Sequence, residues 1–159
     1  MAEILRLVAG GLIALVCAYI GLIVKRRYKS RERIYTDARD YFVYFERELV
    51  GFKTTLPEIN AKFVKQKAGE FSDFLIKYYA KTEQKNALSA LKKEEKSLME
   101  EALSGLGKTS FEEQIKYLKR WQSEYSEKAE KAATDNKKYG GMYFKLCVLL
   151  GIAAIILLA

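Results

Sequence analysis

The chain has 159 residues, half of them hydrophobic and 30% charged, with 28 Lys and Arg against 20 Asp and Glu and no His. That length suits one compact domain and excludes a large multidomain enzyme, while the missing imidazole removes the side chain that most often moves protons or binds metals near neutral pH. Cys17 and Cys147 both fall in apolar runs, which leaves no soluble pair for a structural disulfide and no ligand set for zinc, so no metal or other cofactor is expected.

Leu7 to Val24 carries no charge. As a helix it reaches about 27 Å, against a hydrocarbon core of about 30 Å. Its flank argues for a retained anchor over a cleaved signal, because Lys25, Arg26, Arg27, Lys29, Arg31 and Arg33 follow the run instead of preceding it. Val16 stands where a lipidated Cys17 would need a small residue, which argues against a lipoprotein. These six cations against Glu32 hold most of the chain's positive excess beside a membrane segment. Anionic lipid headgroups are their expected partner, and nucleic acid is not.

The middle segment reads as helical. Ile34, Ala38, Tyr41, Phe42, Phe45 and Leu49 recur at steps of three and four, ahead of Gly51 and a Thr54, Thr55, Leu56, Pro57 corner. Thr55 with Glu58 fits a capping box, and Pro57 in the first turn loses no hydrogen bond. Ile59, Phe63 and Val64 follow; Gly69 breaks the pattern; Phe71, Phe74, Leu75, Tyr78 and Tyr79 form a third face. Leu88, Leu91, Leu98, Ala102 and Leu103 supply a fourth, up to Gly105 and Gly107. Phe111, Ile115, Leu118, Tyr125, Ala129 and Ala132 track the last face, with Trp121 just off it and neither Gly nor Pro from Ser110 to Tyr139. The aromatic spacing fits core packing better than a base-stacking surface. Arg39, Arg47, Lys62 and Arg120 are candidate interface cations by charge alone.

Gly141 to Ala159 is a second apolar run in which Lys145 lies near enough to the boundary to snorkel. Lys137, Lys138 and Lys145 border its inner side, and Tyr28, Tyr139, Tyr143 and Phe144 flank the two runs as interfacial aromatics do. Basic residues on both inner flanks predict a cytoplasmic middle segment with both termini outside. The expected fold is all-α: a membrane-anchored bundle of about five helices over residues 25–139, between an N-terminal transmembrane helix, 1–24, and a C-terminal one, 140–159.

Residues 102–109, ALSGLGKT, fit a relaxed phosphate-loop pattern with Ala for the first Gly. A working phosphate loop follows a buried strand, whereas KKEEKSLMEEAL upstream is helical, so the segment reads as a turn between helices. Gly105 and Gly107 would end one helix, and Ser110 with Glu113, or Thr109 with Glu112, would cap the next. No nucleophile, base and orienting group assemble elsewhere, and no catalytic residue is expected.

The N-terminal span followed by KRRYKSRER, the FERELVGFKTTLPEI segment, the LGKTSFEEQ turn and DNKKYGGMYFKLCVLLGIAAIILL together resemble the stage III sporulation protein AB family along nearly the whole chain. The family's turn reads Leu-Gly-x-Ser-Asp with a Gln four residues after the Asp. Leu106, Gly107 and Gln114 match it, while Thr109 stands for the Ser and Ser110 for the Asp, which keeps a capping oxygen and removes a charge. The resemblance implies a non-enzymatic scaffold in the channel-like apparatus joining mother cell and forespore. Its soluble region is similar to the cytoplasmic domain of type II secretion inner-membrane platform proteins. By that likeness it would sit in the outer forespore membrane, face the mother-cell cytoplasm, contact other membrane components and dock a secretion-type ATPase. A membrane-remodelling or signalling hairpin, a tethered NTPase and a membrane-bound nucleic-acid binder are the competing readings.

Overall fold

The computed structural model describes the backbone of residues 2–82 and 87–158, with side chains over 8–82 and 87–157. The outer ends of both apolar runs, at Leu7 and from Leu158 on, lie outside the described side chains. Among the described residues every regular element is a helix and there is no strand: α1 (Ala2–Phe52), α2 (Leu56–Gln66), α3 (Glu70–Tyr79), α4 (Lys93–Ser104), α5 (Phe111–Asp135) and α6 (Gly141–Leu158). A π-helical turn, Asn136–Gly140, joins α5 to α6. The long last helix therefore passes into the apolar run without a non-helical break, even though Gly140 and Gly141 stand at the junction. The chain divides into two compact units, Ser30–Lys131 and Met1–Lys29 with Ala132–Ala159.

The first unit, Ser30–Lys131, is a bundle of five helical segments around an aromatic core. Ile34, Ala38, Tyr41, Phe42 and Phe45 of α1 are buried, as their spacing predicts. Tyr41 meets Phe63 of α2 edge-on at 5.1 Å and Phe71 of α3 at 5.7 Å. Phe42 stacks on Tyr125 of α5 at 5.5 Å, and Trp121 stacks on the same Tyr125 at 5.7 Å. Offset and edge-on rings add about 0.5–1.5 kcal/mol per pair beyond the area they bury, so this cluster fixes how α1, α2, α3 and α5 meet. Gln122 ties α5 to α1 by donating from Nε2 to the Phe42 carbonyl at 3.1 Å and to Glu46 Oε2 at 2.6 Å.

The α1–α2 corner forms as its residues dictate. Pro57 occupies the first turn of α2, and the Thr55 amide donates to Glu58 Oε2 at 3.4 Å. Helix α1 runs one residue past Gly51, and Lys53 then takes the left-handed turn at φ 49°. Gly69 stands at the start of α3 in extended backbone.

Three expectations within the bundle need correction. Leu88 and Leu91 are buried but not helical: α4 begins only at Lys93, and Leu88 takes φ 53° in the turn before it. Met99, with no exposed surface, fills the core position that the pattern gave to Leu98. Phe111, the first residue of α5, is half exposed, and the buried stripe runs instead through Gln114, Leu118, Trp121 and Tyr125.

The second unit pairs the first stretch of α1 with α6. Both belong to helices long and apolar enough to cross a membrane, and only 11% of each apolar window is buried. A core helix of a soluble protein would be mostly covered, whereas these apolar surfaces are open. A Cβ at Gly21 would stand 3.1 Å from the Cys147 Cβ, and one at Gly151 would stand 3.0 Å from the Ala14 Cα. Glycine at both crossing points lets the backbones approach, the device that membrane helices use in place of a hydrophobic driving force.

Candidate functional site

Two places collect the residues singled out from the sequence: the turn between α4 and α5, and the basic stretch of α1. In the turn, Leu106 is buried against the core while Gly107, Lys108, Thr109 and Ser110 are exposed. Gly107 takes φ 74°, a conformation that costs a side-chain-bearing residue about 1–2 kcal/mol. The Ser110 amide donates to Glu113 Oε2 at 3.4 Å and its carbonyl accepts from the Gln114 amide at 2.8 Å, so the Ser110–Glu113 cap forms.

Gln114 explains why the turn keeps its shape. It is 4% exposed, and its Oε1 accepts from the Gly107 amide at 3.0 Å and from the Thr109 hydroxyl at 3.3 Å. The amide and hydroxyl that a phosphate loop would offer to a nucleotide are thus spent on one glutamine within the fold. Tyr117, one turn further on, donates from its hydroxyl to the Ala102 carbonyl at 3.0 Å and closes the α4 end. Burial first, with Glu101 nearby, holds its phenol above the ordinary range. Periodicity alone did not reveal Gln114's role; its position four residues after the cap was the available signal.

On α1, Lys25, Arg26, Arg27 and Lys29 are exposed in the paired-helix unit, and Arg33 is exposed in the bundle. Arg31 differs from the other five. It forms an ion pair with Glu95 of α4 and lies 5.7 Å over the Tyr35 ring, so its charge is engaged within the bundle.

The four candidate interface cations are placed less freely than charge alone suggested. Arg39 chelates Asp40 from Nε at 3.0 Å and Nη2 at 2.7 Å, and Lys62 reaches Glu48 at 2.9 Å. Burial would raise the Asp40 pKa, but hydrogen bonds from Lys67 and Arg39 outweigh it and hold the carboxyl below its ordinary range. The Lys62 hydrogen bond does the same for Glu48. Arg47 lies 5.0 Å over Tyr44, and Arg120 lies 5.6 Å over Trp121. Trp121 itself is a core residue, 2% exposed.

Sequence reasoning missed an exposed apolar stripe. Val43 and Val50 are each at least half exposed and stand one heptad apart on α1, with Arg47 between them and Phe52 at the helix end. A groove of about 370 Å³ runs beside it, with Val43, Tyr44, Arg47 and Gln66 among its walls. The available signal was two valines falling outside the buried face of the 3.6-residue pattern.

The family model described as stage III sporulation protein AB matches residues 6–90 and 80–159. No curated protein and no solved structure matches the chain. The two matched stretches span the first apolar run, the bundle, the Leu106–Gln114 turn and the second apolar run, and on that coverage the chain belongs to the stage III sporulation protein AB family.

Proposed function

We propose that this protein is a non-enzymatic scaffold of the secretion-like complex between mother cell and forespore. In this reading, α6 and the apolar part of α1 cross the outer forespore membrane, and Ser30–Lys131 works in the mother-cell cytoplasm. There it docks a secretion-type ATPase and contacts other membrane components, so the chemistry takes place in the partner. The observation that carries the reading is the pair of exposed apolar helices that flank a helical bundle in the sequence, in a chain whose family belongs to sporulation.

The exposed Val43–Arg47–Val50 stripe supports a docking face on α1. Arg is enriched in interface cores and hot spots, and the two exposed valines give the patch apolar area to bury around it. The test is binding of the purified ATPase to the full chain in nanodiscs. Arg47→Glu with Val50→Asp should weaken binding at least tenfold, or about 1.4 kcal/mol, without changing the helical signal. Wild-type protein that binds no ATPase would remove the docking role.

A further inference from the structure

We propose that the boundary end of the α1–α6 pair is a seat for an anionic phospholipid headgroup carrying two phosphates, held by cations from both helices across a tyrosine platform. The proposal rests on the reading that both apolar helices lie in a bilayer.

Three observations carry it. The two helices meet at one level: Tyr28 stacks on Tyr143 at 6.2 Å and 11°, lies 6.3 Å from Tyr139, and the Lys25 ammonium stands 5.7 Å over the Phe144 ring. Cations arrive from both sides of that contact. Lys25, Arg26 and Lys29 of α1 are exposed, and so are Lys137 and Lys138 of the π-turn and Lys145 of α6. Finally, Asp135 is the sole acidic residue in 24–29 and 132–146.

These like charges, spread over about two helical turns of the pair from Lys137 to Lys145, repel, and a bound polyanion turns that repulsion into attraction. Tyrosine hydroxyls at the same depth can donate to phosphate oxygens while the rings stay against the acyl chains. One phosphate can engage the cations of one helix. Two linked phosphates engage both helices for a single loss of freedom, so the second contact is effectively intramolecular. Basic pockets between membrane helices take such headgroups for this reason. Arg31, held by Glu95, and Arg33, in the bundle, are not part of the seat.

The test uses the full chain in nanodiscs of a neutral phospholipid, doped with either cardiolipin or phosphatidylglycerol at equal total lipid charge. Lipid retained through mild detergent extraction is counted by native mass spectrometry. Cardiolipin should be retained over phosphatidylglycerol by at least about tenfold. Lys137→Gln, Lys138→Gln and Lys145→Gln together should abolish that preference. Removing the same charge from the bundle, with Lys65→Gln, Lys108→Gln and Lys116→Gln, should leave it intact. Equal retention of the two lipids, or equal loss from both triple variants, would mean a diffuse field without a seat and would overturn the proposal. Membrane insertion is scored separately by alkaline extraction. Inserted protein without lipid preference sinks the seat alone, whereas extractable protein sinks the membrane reading as well.

Discussion

Gln114 accepts the backbone hydrogen of Gly107 across 3.0 Å, from the first turn of α5 back into the loop that precedes it. The Gln114 end of the contact is buried, and it holds the one left-handed glycine of the α4–α5 turn in place. Replacing Gln114 with Ala removes the acceptor of the exposed Gly107 amide, and the net loss of a hydrogen bond of this kind costs about 0.5–1.5 kcal/mol. Thermal unfolding of the full chain in detergent micelles should show the loss. An unchanged midpoint would mean that the turn holds without the glutamine.

Gly107→Ala tests the same turn from the backbone side. At φ 74° the alanine should destabilise the protein by about 1–2 kcal/mol, and Lys108→Ala, in the exposed position beside it, should have little effect. If Lys108→Ala instead abolished nucleotide binding that the wild type displayed, the turn would be a phosphate loop after all.

Lys67 joins Asp37 at 2.8 Å and Asp40 at 2.5 Å, linking α1 to the end of α2. Burial lowers the lysine pKa, but the two carboxylate hydrogen bonds more than reverse it and hold the ammonium above 10.5. The lysine's contribution is thus fully present below its unfolded pKa and is lost as pH rises through the higher folded value. Asp40 is held below its ordinary value, so its contribution is present above the unfolded pKa and lost as pH falls through the folded one. Unfolding midpoints should be flat between those limits and fall in acid. Asp40→Asn should remove part of the acid limb, by less than about 1 kcal/mol because the group is partly exposed. An acid limb identical in Asp40→Asn would deny the bond a role in stability.

Gly21→Leu should force α1 and α6 apart at the Cys147 contact, because a Cβ alone already stands 3.1 Å from the Cys147 Cβ. Spin labels at positions 17 and 147 on the two helices should report a longer separation in the variant. Leu15→Ala, at an exposed position of α1, should leave it unchanged. Equal separations in all three proteins would remove close glycine packing from the account.

Much of this fold was legible because it is written in periodic apolar residues. Ile34 through Phe45 carry a single helical stripe, and Pro57 with Glu58 mark a start whose geometry local chemistry alone decides. The misreadings share another cause. Leu88 and Leu91 kept helical spacing while the backbone left the helix at φ 53°, since burial can be met from a turn as well as from a helix. Phe111 kept the spacing of its stripe but stands at the helix end, where the core does not cover it. Arg31 looked like its basic neighbours in sequence, and only the tertiary position of Glu95 separates it from them. The pairing of Lys25 with Phe144 and of Tyr28 with Tyr143 joins residues from opposite ends of the chain, which no local pattern specifies.

The central claim is that both apolar helices cross the bilayer and leave Ser30–Lys131 on the cytoplasmic side. Its most direct measurement is labelling of single introduced cysteines by a membrane-impermeant reagent in intact non-sporulating cells that carry the full chain in the plasma membrane, in a background with Cys17 and Cys147 replaced by Ala. Cysteines added next to either terminus should react from outside, and one replacing the exposed Lys108 should react only after lysis. Labelling at position 108 in intact cells, or protection of either terminal site until lysis, would contradict the account.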